Sequence, residues 1–113
     1  VEDDPDVRAI VRDQINALGY AVLEAENGQE AVQLVEHISA VEVVVSDIVM
    51  PGDIDGYCLA RIVTERWPDI GIVLMSGYKG ESRHEPQPEG NTQFLGKPFL
   101  PADLKAAIRR CRI

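Results

Sequence analysis

The sequence predicts a doubly wound α/β domain, a (βα)5 alternation with helices on both faces of one parallel sheet. Two observations carry this. Short apolar runs rich in β-branched residues alternate along the chain with stretches whose apolar residues recur at helical spacing. Two of the runs, residues 41–46 (VEVVVS) and 70–75 (IGIVLM), are too uniformly apolar to keep one face wet, as expected of strands buried between two helix layers. The 113 residues suffice for one hydrophobic core, so a single domain over residues 1–113 is expected.

Val1 is followed at once by Glu2, Asp3 and Asp4, so a strand leading into these acids is expected and Val1 is nearly all the sequence holds of it. Asp4 and Pro5 open the first helix: the carboxylate can accept from free amides, and Pro at the first helical position loses no needed donor. Val7, Ile10, Val11, Ile15 and Leu18 recur on one face, and Gly19 supplies the stop. Residues 20–25 read as a short strand. Asn27 and Gly28 cap a second helix with Ala31, Val32, Leu34, Val35 and Ile38 as its buried stripe.

Residues 41–46 form the predicted central strand, with Asp47 at its C-terminal end. After the loop 48–54, Asp55 and Gly56 start a third helix, with Leu59, Ile62 and Val63 inward and an end near Trp67 and Pro68. Residues 70–75 are the next strand and 93–95 a brief fifth one. The last helix covers 101–112, with Leu104, Ala107, Ile108 and Cys111 at helical spacing. The weak unit is 78–92, where Gly80, Pro86, Pro88 and Gly90 leave room for a helix of no more than about one turn. A shortened or missing fourth helix is predicted.

A composition of 45% apolar and 27% charged residues is that of a globular chain. The net charge of -8 argues against a surface that grips nucleic-acid phosphates, which needs clustered Lys and Arg. Cys58 and Cys111 each fall at an apolar helical position and are expected to stay reduced. No apolar run approaches the ~20 residues that span a bilayer, and no basic leader precedes an apolar stretch, so the chain reads as cytoplasmic. No glycine-rich nucleotide motif occurs.

In this topology Glu2, Asp3, Asp47, Ser76 and Lys97 all project from the C-terminal edge of the sheet, where ligands of open α/β folds gather. Three close carboxylates repel one another unless a cation sits among them, and an all-oxygen set suits Mg2+. Lys97 can meet an anionic oxygen and the Ser76 hydroxyl can donate to a second, which describes a phosphoryl group. Asp47 is placed to be its covalent acceptor, as an acyl phosphate.

Four segments in order, Val1 with Glu2, Asp3 and Asp4, then 46–51 (SDIVMP) with Asp55 and Gly56, then 73–77 (VLMSG), then Lys97, Pro98 and Phe99, resemble the receiver domain of bacterial response regulators over essentially the whole chain. The resemblance implies a flavodoxin-like strand order 2-1-3-4-5 and a signalling switch rather than an enzyme of the turnover kind. It implies that Glu2, Asp3, Asp47 and the main-chain carbonyl of Val49 hold Mg2+, and that Asp47 takes phosphate from the phosphohistidine of a histidine kinase or histidine phosphotransfer protein. Ser76 and Lys97 are implied as phosphoryl sensors, Phe94 as an aromatic switch that turns inward, and Lys97–Pro98 as a cis peptide. Two departures stand out: one additional residue between Pro51 and Asp55, and the Pro-broken fourth-helix region.

Taken singly, these residues have plainer readings. Asp4 is a helix cap, Asp47 could simply end a strand, Lys97 could be a solvated amine and Phe94 a core ring. Two other functions compete. A Mg2+-dependent phosphohydrolase with an Asp nucleophile would need a second carboxylate two residues on, where Val49 stands. A degenerate receiver would act only as a binding module. The chain is expected to be either a stand-alone receiver or part of a longer protein such as a hybrid kinase, with an output partner that the residues do not name.

Overall fold

Local capping sets the helix starts in the computed structural model, which describes residues 1–76, 92–97 and 99–111. The Asp4 carboxylate accepts from the amides of Asp6 and Val7 and so caps α1 (Pro5–Ala17). Asn27 accepts from the Glu30 amide at 2.8 Å at the head of α2 (Gly28–His37). Asp55 does the same for the Cys58 amide, also at 2.8 Å, at α3 (Gly56–Arg66). Each cap satisfies a donor that the first helical turn leaves free.

Three parallel strands, β1 (Val43–Asp47), β2 (Gly71–Ser76) and β3 (Thr92–Gly96), form a sheet in the order β1-β2-β3. The register sets Asp47 beside Met75 and Ser76 beside Gly96, so the polar residues that end the strands share one edge. Side chains alternate between two cores. Val44, Ile72 and Leu74 pack with Ala31 and Val35 of α2 and with Leu59 and Val63 of α3. Val73 and Leu95 pack with Leu104, Ala107, Ile108 and Cys111 of α4 (Pro101–Cys111), joined by the half-buried Ile15 and Leu18 at the α1 end. Helices therefore cover both faces, as the doubly wound reading requires.

The expected strand at 20–25 is not one. Ala25 and Tyr20 pack on the cores beside the sheet, and the Glu2 amide donates to the Ala25 carbonyl at 3.0 Å, but the segment forms no ladder. Val1 and Glu2 lie between Ala25 and β1: the Val1 amino group donates to the Val45 carbonyl, and the Asp47 amide donates to the Val1 carbonyl at 3.0 Å. Hydrogen bonds thus run from Ala25 through Glu2 and Val1 to β1, β2 and β3, in the order 2-1-3-4-5. A cavity of about 450 Å3, walled by Val11, Ile15, Val22, Leu34, Val43 and Val45 among others, runs beside β1 there. α1 buries none of its residues fully, and Ile10, expected inward, is 59% exposed.

The other strands start within two residues of expectation, and β3 takes Thr92 from the end of the weak fourth unit. The remainder of that unit, Gly77 and Pro98 lie outside the described residues, and with them the shortened fourth helix and the Lys97–Pro98 peptide geometry. Neither cysteine is in a disulfide, with Cys111 completely buried and Cys58 half-buried.

Gly56, at the start of α3, lets that helix approach the end of β1. A Cβ there would lie 2.4 Å from the Asp47 carbonyl oxygen and 2.6 Å from Ile48 Cα. Since backbone has to shift to admit a methyl group, Gly56→Ala is expected to cost about 2 kcal/mol of stability. Urea unfolding with an unchanged m value checks it.

Candidate functional site

Asp47 is the last residue of β1, and its main chain is fixed on three sides. Its amide is bound to Val1, its carbonyl accepts from the Ser46 hydroxyl at 2.8 Å, and Gly56 closes against it. Ser46 is fully buried and also reaches the Met50 sulfur at 3.6 Å. The following residue is tied in turn, with the Ile48 amide bonded to the Met75 carbonyl at 3.1 Å and the Gly56 amide to the Ile48 carbonyl at 2.7 Å. The end of β1 is therefore held through its main chain, and the Asp47 side chain is the part that it presents at the sheet edge.

Lys97 follows β3. Its amide donates to the Ser76 carbonyl at 2.7 Å, which brings the ends of β2 and β3 together. Its ammonium lies 2.5 Å from Asp47 Oδ1 and 3.5 Å from Glu2 Oε2. Glu2 is only 4% exposed, and its other carboxylate oxygen accepts from the Asp4 amide at 3.2 Å. Burial, followed by the hydrogen bond to Asp47 and the charge there, raises the Glu2 pKa above its ordinary value against the opposing pull of Asp4 and Lys97. Burial works to lower the Lys97 pKa, but the bonds and charges of Asp47 and Glu2 outweigh it and the net shift is upward. The Glu2 shift is thus first a matter of burial, and the Lys97 shift a matter of its two carboxylate partners.

Glu2, Asp3 and Asp47 can each offer a carboxylate oxygen within 4.8 Å of the others. A donor set of oxygens alone, on one buried, one half-buried and one exposed carboxylate, fits a hard divalent ion that keeps part of its water. Ser76 ends β2 half-buried beside Gly96. The Val49 side chain, two residues beyond Asp47, is 63% exposed. Phe94 is 42% exposed and meets the Tyr57 ring at 6.3 Å between centroids, tilted by 53°.

With this arrangement in view, a comparison with known families decides the kinship: the model of the response regulator receiver domain matches residues 1–109. The chain belongs to that family. The receiver domain is 35% identical over 111 residues to the sensor kinase CckA of Brucella abortus (strain 2308), covering 96% of this chain and 12% of CckA. It is 31% identical over 113 residues to the response regulator receiver protein CpdR of the same organism, covering 99% of this chain and 92% of CpdR. Among solved structures, the response regulator TrrA of Thermotoga maritima in complex with Mg2+ and BeF superposes with a TM-score of 0.85 at 25% identity, covering 97% of this chain and 93% of TrrA. Among the described residues no helix is long and apolar enough to cross a membrane.

Of the site residues read from the sequence, the receiver domain brings Glu2, Asp3, Asp47 and Lys97 into one cluster and sets Ser76 at the same edge. It also shows residues that the sequence did not point to. Ser46 braces the Asp47 carbonyl, and Arg8 donates to the Glu2 carbonyl. A small polar residue inside an otherwise apolar strand was the only signal for Ser46. The additional residue between Pro51 and Asp55 is absorbed by Gly52 at φ +91 and by Ile54, whose side chain covers Gly28 at the head of α2.

Proposed function

We propose that this receiver domain is a Mg2+-dependent phosphoryl switch whose acceptor is Asp47. The observation that carries the reading is the convergence of Asp47 and Lys97, with two further carboxylates, at the C-terminal edge of a parallel sheet. Glu2, Asp3, Asp47 and the Val49 carbonyl are the residues that would hold the ion, which when bound supplies positive charge to the phosphoryl oxygens.

The chain's own groups do the rest. An Asp47 carboxylate oxygen forms the new O–P bond as the P–N bond of a phosphohistidine breaks, the donor being a histidine kinase or a histidine phosphotransfer protein. Lys97 passes from Asp47 to a phosphoryl oxygen, and the Ser76 hydroxyl donates to another. Phe94 leaves its exposed position as Ser76 moves, and the partner-binding surface changes with it. Such a transfer needs positioning and charge neutralisation more than a general base. The phosphoryl group biases a two-state equilibrium by its added charge. The proposed place of action is the cytoplasm, with a protein as output partner and no direct nucleic-acid contact from a domain of charge -8.

Incubation with a small-molecule phosphodonor, with and without Mg2+, tests this by intact mass. One phosphoryl group per chain, taken up only with Mg2+, is the expected result. No uptake by folded protein that binds Mg2+ would favour a binding module, and rapid multiple turnover of the donor would favour a hydrolase. Because Val49 stands where a hydrolase would carry its second carboxylate, the phosphoryl group is expected to be lost slowly. A lifetime of seconds or less in the same assay contradicts that expectation.

A further inference from the structure

Every polar atom of Glu2 has a partner: its amide at Ala25, its two carboxylate oxygens at Asp4 and Lys97, and its carbonyl at the Arg8 guanidinium. The last contact is the informative one. Arg8 Nη1 donates to that carbonyl at 2.9 Å, and the Arg8 side chain is only 19% exposed. Its Nε pairs with Glu24 at 3.4 Å, and the second Glu24 oxygen is held by Arg12, also at 3.4 Å. The guanidinium is thus a fixed fork between α1, the segment before α2 and the chain entering α1.

The carbonyl it holds belongs to the peptide that joins Glu2 to Asp3. A peptide unit is planar, so a hold on its C=O fixes the plane that carries both flanking Cα atoms and restrains the two rotations, ψ of Glu2 and φ of Asp3, that aim their side chains. We infer that Arg8, steadied by Glu24, is a positioning residue for the cation site. This rests on the reading that Glu2, Asp3 and Asp47 hold Mg2+. Arg8 acts through the main chain and touches no ligand oxygen.

Charge and position make opposite demands here, which makes the inference testable. A positive side chain near a divalent ion repels it, so if Arg8 mattered only as a charge, Arg8→Gln would tighten Mg2+ binding. If it positions the acids, Arg8→Gln loosens binding, by about tenfold, the scale typical of groups that orient metal ligands. Arg8→Lys keeps the charge but not the planar fork and is expected to bind Mg2+ more weakly than the native chain. Mg2+ titration of the full chain by calorimetry, with folding checked by circular dichroism, reads all three proteins. Binding in both variants equal to or tighter than in the native chain overturns the inference while leaving the metal reading intact. A native chain that binds no Mg2+ overturns the metal reading and the inference with it. Should Arg8→Gln fail to fold, Arg8→Lys alone decides, weaker binding supporting the inference and unchanged binding overturning it.

Discussion

Lys97→Ala is expected to slow phosphoryl uptake from a small-molecule donor by about 10²–10³-fold at saturating Mg2+, the scale for removing one fixed group that meets developing charge. The ammonium stands on Asp47 and within reach of Glu2, beside the Ser76 carbonyl that holds its backbone. The side chain is therefore already where a phosphoryl oxygen on Asp47 would be, and it needs no large movement to meet one. The variant also leaves Asp47 and Glu2 without their cation, which should lower the stability of the metal-free protein by about 2 kcal/mol, as for a lost charged hydrogen bond. The folded-state pKa of Lys97 lies above the ordinary 10.5. Its contribution is therefore fully present below 10.5 and fades only as pH rises beyond that, so the stability difference should be flat across neutral pH. Rapid-quench uptake and urea unfolding measure the two effects. An unchanged uptake rate would remove Lys97 from the proposed chemistry.

Glu2→Gln should act in the opposite direction on stability and still destroy the cation site. The folded-state pKa of Glu2 is raised, so the folded protein holds that proton more tightly than the unfolded chain does. The resulting stabilisation is present at acid pH and is lost as pH rises from the ordinary carboxylate range through the raised value. Without Mg2+ the ionised Glu2, buried first of all and then facing the Asp47 charge, costs the fold stability, and Gln, which cannot ionise, should remove that cost along with that part of the pH dependence. For the ion, losing a carboxylate about 4 Å away costs about 2 kcal/mol even at the dielectric of water, roughly 30-fold in affinity. Stability against pH, measured with and without Mg2+, separates these effects. A variant less stable than the native chain when metal-free would contradict the picture of a buried carboxylate that costs stability when ionised.

The sequence was most readable where one residue type answers one local requirement. Asp4, Asn27 and Asp55 each cap a helix as their positions suggest, and the alternation of apolar runs with helical stripes locates the three described strands. The cluster of Glu2, Asp3, Asp47 and Lys97 was legible because a parallel topology sends every strand end to one edge. What could not be read depended on neighbours. Residues 20–25 have a strand's composition, but a strand exists only with a ladder partner, and composition does not carry the pairing. Ile10 has a core residue's spacing, yet it is exposed, because spacing alone does not say which edge of an apolar stripe meets a neighbour. Arg8 on the Glu2 carbonyl and Ser46 on the Asp47 carbonyl are contacts of side chain with main chain, which carry no periodicity and no spacing rule.

The central claim is that the phosphoryl group rides on Asp47 and on no other carboxylate of the cluster. The direct measurement is to phosphorylate the chain with Mg2+ present, reduce the acyl phosphate with borohydride, and map the modified residue by peptide mass spectrometry, with Asp47→Asn in parallel. The account predicts homoserine at position 47 alone and none in the variant. Reduction at Glu2 or Asp3, or modification that persists in the variant, would contradict it.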